Sequence, residues 1–508
     1  MAGNRITAIL LTTAMCASLL GGTAATVQAA DEVHLNAALY WFGTSLDPHK
    51  EYDGWTTSRA GITETLVTVN ENYELVPLLA DSWEQTDETT WNLHIREGAA
   101  FHNGKAVDGE AVKKSFERAM ELQDRAVTSS HIESIEADGQ NVIFHTSDLN
   151  AAFLASITEP LFSVIDVDAG TDFESQPIAT GPFMVKDFEV DTFIEMESYD
   201  DYWNGASSID TVTVKCVADD NTRSLLLQSG EIDLGQRVAD TDLKILEADP
   251  KYQIFKTLGA RTRIMVFNYM NEFLADRNVR KAIADSINYD ALVTILGESV
   301  GVAGAPYPSS SPYGYDELDK QSYNPEEAAA LLEEAGFADT DGDGIVEKDG
   351  KALSLTINYA NANYTVMLEA IQAMAKNTGI DLQLNLVDSI MEMTQGQTTF
   401  DIVVTNWQVL STGDPQWFVD SQFKTGAANN GGHYSNPDLD ALADKLARTT
   451  DVTERQNVTI EIEKVLLEDC TAVFVVGETN FVVANDKVSN VKPYPIDYYF
   501  LDNGITMN

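Results

Sequence analysis

Between Ser82 and Arg96 the chain reads SWEQTDETTWNLHIR, with Trp91, Leu93 and Ile95 on alternate positions and Asp87-Glu88 between the two halves. A period of two broken by turn residues predicts a hairpin with one buried face. From Asp108 the period lengthens: GEAVKKSFERAMEL places Val112, Phe116, Ala119 and Met120 on one stripe, an amphipathic helix. Ile135-Glu136-Ala137 and Val142-Ile143-Phe144-His145 then form a second hairpin around Asp138-Gly139. Further on, strand and helix patterns take turns. The strand Thr211–Val214, the helix Asn221–Ser229 and the return Gly230–Leu234 make one unit. Another is the strand Leu353–Asn358, the helix Val366–Thr378 and the strand Asp381–Val387. Such alternation argues for α/β layers.

The stretch PIATGPFMV at 177–185 sets a tight Gly181-Pro182 site before a strand, and Ile264–Asn268 begins a later block. Asn278-Val279-Arg280 opens a helix whose apolar positions are Ile283, Ile287 and, after Tyr289-Asp290, Leu292 and Ile295. Pro325 starts another, striped by Ala328, Leu331, Leu332 and Ala335. Phe400–Val404 adds a strand, and Phe474 to Tyr499 reads as strands returning to the first block. Two α/β lobes joined by at least two crossings are expected. At 508 residues, with 44% hydrophobic positions, the chain exceeds what one core serves.

Charge narrows the functional classes. With 32 Lys plus Arg against 80 Asp plus Glu, the formal charge is −48. Such a chain repels phosphate backbones and anionic lipid, so no nucleic-acid partner is expected. The acids are spread along the whole chain, which suits a salt-adapted surface better than a dedicated cation site. Residues 1–29 hold a single charge, Arg5, before an apolar stretch from Ile6 to Gly22 and a Val27-Gln28-Ala29 cleavage pattern. They read as a secretory signal cut after Ala29, which places the mature protein in the periplasm or on the outer face of the cell membrane. Cys16 offers a second reading, a lipid anchor, which the preceding Thr13-Ala14-Met15 disfavours. Only Cys216 and Cys470 remain beyond it, too few for a disulfide scaffold or a thiolate metal site.

The sharpest local pattern is Asp339-Thr340-Asp341-Gly342-Asp343-Gly344-Ile345-Val346-Glu347. Alternating acids around a glycine turn match the front of a calcium loop, with Asp339, Asp341, Asp343 and Glu347 as the candidate ligands. Gly350 stands where the bidentate Glu belongs. Two readings stay open, a weak structural calcium site and a solvated acidic turn. No Gly-x-Ser-x-Gly nucleophile elbow is expected, no His-Glu-x-x-His pair, P-loop or Gly-x-Gly-x-x-Gly fingerprint occurs, and no two of the seven His have chelating spacing. Aromatics cluster at strand ends: Tyr40-Trp41-Phe42, Trp55 with Arg59 behind it, and Trp407 ahead of Asp414-Pro415-Gln416-Trp417. They either line a cleft between lobes or pack in cores.

Several segments in order resemble the extracellular solute-binding proteins of peptide, dipeptide and nickel ABC importers, solute-binding family 5. They are LVPLLADSWEQTDETTWNLHIREGAAFHNGKAVDGEAVKKSFERA at 75–119, PIATGPF at 177–183, DDYWNG at 200–205 and SGEIDL at 229–234, followed by RNVRKAIADSINYDALV at 277–293, DTDGDGIVEKDG at 339–350 and GDPQWF at 413–418. The resemblance covers nearly all of the mature chain. It implies a two-lobed, periplasmic-binding-protein-like (Venus flytrap) α/β fold with an enlarged first lobe, and a receptor rather than an enzyme. The expected domains are lobe I at 30–270 with a subdomain at 65–176, lobe II at 271–482, and a C-terminal return to lobe I at 483–508.

By the same resemblance, the solute is held between the lobes and passed to transmembrane permease subunits by a monomer that requires no cofactor. A peptide or amino-acid-derived solute is expected; nickel or another transition metal as a chelate is the alternative. Peptide binders of the family pair the ligand ammonium with an Asp three residues past the strand-end Trp, whereas Leu410 stands there in this chain. The nickel branch uses an Arg whose position falls near Ser163, together with aromatics and a His, for which His433 is the candidate. Tyr40, Trp41, Trp55, Arg59, Arg263, Trp407, Asp414 and His433 are the expected ligand-binding set. Arg59, Arg261 and Arg263 offer the bidentate fork that suits a carboxylate, while Arg261 and Arg263, sharing one face of a strand, also read as ordinary surface charges.

Overall fold

The computed structural model describes residues 32–314 and 318–508. The expected signal segment and Cys16 lie outside the described residues. An eleven-stranded sheet organises the chain from Val33 onward. At one end His34–Leu39 pairs in parallel with Thr211–Cys216 and Leu234–Gln236, and Phe193–Ser198 and Phe183–Glu189 extend the sheet outward. At the other end Ser354–Tyr359 pairs in parallel with Asp381–Leu386 and with Ile402–Gln408. Helix Thr365–Lys376 makes the crossover between the parallel neighbours Ser354–Tyr359 and Asp381–Leu386, and helix Asp220–Ser229 leads from Thr211–Cys216 to Leu234–Gln236 on the other side of His34–Leu39, the two places where the alternation predicted a helix.

Two long antiparallel strands, Tyr252–Phe267 and Ala472–Asn485, run through the middle and join the halves. The sequence pattern marked the strand Ile264–Asn268 and set Arg261 and Arg263 on one strand face ahead of it, but nothing in the pattern carried the strand back to Tyr252. This earlier segment is extended all the same, since Lys256 to Leu258 pair with Phe481 to Thr479. The register shifts between Leu258 and Thr262, where Gly259 lies against Asn480. On one side of this irregularity the strands feed an apolar core with Leu35, Val212 and Val482. On the other side Met265, Phe267, Val473 and Val475 belong to a second core with Ile283, Leu368 and Ile402. Between the two cores, the strands carry Arg261, Arg263 and Glu478.

A separate four-stranded antiparallel sheet is ordered Ala80–Asp87, Thr90–Ile95, Asn141–Thr146, Ile132–Asp138, as the two hairpins predicted. Helix Gly109–Leu122 starts at Asp108, whose side chain accepts from the Ala111 amide at 2.8 Å. Its Phe116 packs 5.0 Å from Phe144, ring centre to ring centre, inside a third core with Leu93 and Ile95. One expected helix is two: Arg277–Asp285 ends, and Asn288 caps Tyr289–Leu296 by accepting from the Ala291 amide at 2.9 Å. Ile295, expected inside, is 50% exposed. Gly297-Glu298-Ser299-Val300-Gly301 spells Gly-x-Ser-x-Gly, but it runs from a helix into the strand Val300–Val302. A nucleophile elbow runs the other way. Cys216 and Cys470 are free thiols packed against different cores.

Candidate functional site

A cavity of about 1120 Å³ opens between the helical segments around 52–55, 125–131 and 148–159 and the segments 388–395, 405–424 and 444–448. The Ala151 amide donates to the Ala447 carbonyl at 3.0 Å and ties the two banks together at one point. Of the expected ligand-binding set, Trp55, Trp407 and Asp414 line this cavity. Arg261 lines it too, whereas Tyr40, Trp41, Arg59, Arg263 and His433 do not.

On the first bank Trp55 sits on helix Gly54–Arg59, and its indole Nε1 donates to Glu159 Oε1 at 3.1 Å. Arg125 Nη1 donates to the same oxygen at 2.8 Å, and the guanidinium lies 4.5 Å from the centre of the Tyr52 ring. Tyr52 and Tyr498 flank Trp55 at 5.1 and 5.2 Å. Trp41 packs on Trp55 at 6.3 Å and keeps 37% of its surface exposed. On the second bank Trp407, near the end of strand Ile402–Gln408, packs 6.2 Å from Trp417. The Trp407 Nε1 is buried and has no hydrogen-bond partner among the described residues. Asp414 is already engaged: it forms a bidentate pair with Arg455 at 2.6 and 2.7 Å and accepts from the Gln416 amide at 2.8 Å.

The floor is a buried network of arginines. Asp497, 2% exposed, accepts from Tyr40 Oη at 3.0 Å, from Arg237 Nη2 at 3.4 Å, from Arg261 Nε at 3.4 Å and from Gln408 Nε2. Arg59 is fully buried; its Nε donates to the Asp497 carbonyl at 2.6 Å and its Nη2 to Tyr40 Oη at 3.1 Å. Arg263 donates to Glu478 at 3.1 and 3.2 Å and stacks on Tyr364 at 4.7 Å, which holds it away from the cavity. Arg237 reaches Glu478 as well, at 3.6 Å. Burial alone would raise both acids. Arg261, Arg59 and Arg237 nevertheless hold Asp497 far below the usual carboxylate range, and Arg237, Arg263 and Arg261 lower Glu478.

Four guanidinium groups therefore face two carboxylates, an excess of two positive charges inside a strongly acidic chain. Arg59 Nη1 and Arg237 Nε are buried without partners among the described residues. Arg261 contacts Asp497 only through Nε, and its terminal nitrogens donate no hydrogen bond to a described residue. Its outer edge is open to the cavity.

His433 is exposed, in the left-handed region at φ 61°, and its amide donates to Asn430. Asp339, Asp341, Asp343 and Glu347 bring carboxylate oxygens within 4.8 Å of one another. Loop donors already serve Asp339 and Glu347: the Gly342 and Gly344 amides bind the former and Thr340 the latter. The sequence reading missed Asp497, Arg237, Gln408, Glu159 and Asp420. No local motif marks them; each becomes chemically legible only when the fold gathers it to the network or to the cavity wall.

The model of the family described as bacterial extracellular solute-binding proteins, family 5, middle region, matches residues 74–430. The nickel-binding protein NikA of Staphylococcus aureus is 27% identical over 451 residues, 88% of this chain and 90% of that protein. The oligopeptide-binding protein AppA of Bacillus subtilis is 27% identical over 460 residues, 85% and 83% of the two chains. A crystal structure of a nickel ABC transporter protein from Bacillus halodurans superposes with a TM-score of 0.83 at 30% identity, covering 94% of this chain and all of that one.

Proposed function

The chain belongs to the bacterial extracellular solute-binding proteins of family 5, and from that premise we propose that its cavity captures a small carboxylate-bearing solute, a peptide or another amino-acid-derived compound, for an ABC importer. The carrying observation is Arg261, held by Asp497 at one edge and open to the cavity at the other. A planar guanidinium with unused parallel donors is the natural partner of a carboxylate. The surplus positive charge behind it favours an anion there, although the surface as a whole is acidic. Trp55, Trp407 and Trp417 supply flat apolar walls for the rest of the solute.

Lobes 30–270 with 483–508 and 271–482 close over the solute, bending where the long strands shift register, near Gly259 and Asn480. Residues 1–29 serve as the secretory signal, and the permease of the importer receives the loaded receptor. Among the described residues, no helix is long and apolar enough to cross a membrane.

A second reading, nickel carried as a chelate, is favoured by the likeness to the S. aureus and B. halodurans proteins. Among the described residues only the exposed 339–347 loop brings three or more metal-ligating side chains together. Nickel in the cavity would therefore arrive in ligands of its own, and amino-acid chelators present the same carboxylates to Arg261. Native mass spectrometry of protein from its own host, with elemental analysis, separates the readings. An organic mass without transition metal supports the peptide class; stoichiometric nickel supports the chelate. Arg261→Met should weaken binding of the co-purified solute about tenfold or more, measured by calorimetry. Unchanged affinity would remove Arg261 and the carboxylate reading together.

A further inference from the structure

Among the acids lining the cavity, most have a counter-charge or a donor of their own. Asp414 is paired with Arg455, Glu159 with Arg125, Asp148 with His131, and Asp444 with Lys424. Asp388 lies exposed at the rim. Asp420 differs. It lies on helix Gln416–Gln422, where its Oδ2 accepts from Gln416 Nε2 at 2.7 Å, while its Oδ1 is buried with no donor among the described residues. A buried carboxylate oxygen without a donor is costly unless something completes it. The position three past Trp407, Leu410, is fully buried and apolar, so no charge is met there.

We propose that Asp420 is a specificity-determining residue that receives the ammonium group of the solute, while Arg261 takes its carboxylate. This deepens the functional reading above and rests on it. The site then selects a zwitterion, an amino-acid-derived compound with a free amine. The titratable groups near Asp420 are Lys424 and Asp444, already joined to each other, and His131, joined to Asp148. Burial raises the Asp420 carboxyl, and Asp444 adds to this; Gln416, Lys424 and His131 oppose them without cancelling the rise. An arriving ammonium would restore the ionised form.

The test uses trialanine and N-acetyltrialanine as probes, with the full mature protein and calorimetric titration. Wild-type protein should bind trialanine about thirtyfold or more tightly than the acetylated peptide, the loss expected when one member of a desolvated charge pair is removed. Asp420→Asn keeps the size and the Gln416 contact, and should erase that preference by weakening trialanine alone. Arg261→Met should weaken both peptides equally, so failure of the carboxylate reading is visible separately. An Asp420→Asn protein that folds normally by thermal unfolding and still prefers the free amine overturns the proposal. Binding of nickel–histidine complexes with neither peptide bound overturns it too, because the amines are then occupied by metal. Binding of none of these probes overturns both the proposal and the functional reading.

Discussion

The two banks of the cavity treat their polar groups in opposite ways. On the Trp55 bank the indole N–H, the Glu159 carboxylate and the Arg125 guanidinium satisfy one another, so that wall is finished before any solute arrives. On the Trp407 bank, the Trp407 Nε1 and one oxygen of Asp420 are buried without partners among the described residues, and Arg261, bound to Asp497 through Nε, also lines the cavity. Unmade hydrogen bonds cost far more in a desolvated place than made ones contribute. The finished bank therefore contributes shape and apolar area, and the unfinished bank contributes recognition. Affinity should depend on the two tryptophans unequally, although both are aromatics at the same cavity.

The largest effect should come from the floor that orients Arg261. Asp497→Asn removes one of two carboxylates facing four arginines and leaves buried guanidinium charge uncompensated, so a loss of about 3–5 kcal/mol in unfolding free energy is expected. Chemical denaturation at pH 7 measures it. The same group sets an acid limit. Its pKa in the folded protein lies below the ordinary value of 3.8. The folded state therefore binds fewer protons than the unfolded chain. The stability that Asp497 contributes is fully present above that ordinary value and is lost as pH falls from there toward the lowered folded pKa. The wild-type stability curve should fall with pH in this range, and the Asp497→Asn curve should be flatter. Parallel curves would show that the arginines do not depend on Asp497.

Next in size is the unfinished bank. Trp407→Ala should weaken solute binding about tenfold or more and leave the fold intact, since the side chain only packs against the edge of its core cluster. Calorimetry against the co-purified solute, with thermal unfolding as control, checks both halves. Equal affinity in the variant would make the two banks alike.

How far the sequence reveals this division depends on the range of the interactions. The hairpins at 80–95 and 132–146 and the helix at 109–122 were legible because their signals are local: strict alternation, a turn dipeptide, a capping Asp108. The long strand Tyr252–Phe267 was only half legible. Its polar segment is extended because of a partner more than two hundred residues away, not because of its own pattern. Trp55 and Trp407 were legible as aromatics at element ends. Arg59 carried the same sequence signal as Arg261, yet it is fully buried on the Asp497 carbonyl while Arg261 faces the cavity. The acid that sorts them, Asp497, lies in the C-terminal segment PYPIDYYF, where nothing local announces a charge partner. His433 looked like a ligand by type and is exposed outside the cavity.

The smallest effect tests the finished bank directly. Trp55→Phe keeps an aromatic face between Tyr52 and Tyr498 and removes the indole N–H with part of the ring, while the N–H partner Glu159 retains Arg125. One hydrogen bond beside a satisfied ion pair is worth about 0.5–1.5 kcal/mol, and it is made with or without solute. Its removal should fall mainly on stability, with affinity held within about threefold of wild type. The matching Trp407→Phe change removes an N–H that has no partner among the described residues. If the solute completes that N–H, the Trp407 variant loses more affinity and less stability than the Trp55 variant. Equal affinity losses at the two tryptophans would mean that the unpartnered atoms of the second bank are not awaiting the solute, and that both walls act through shape alone.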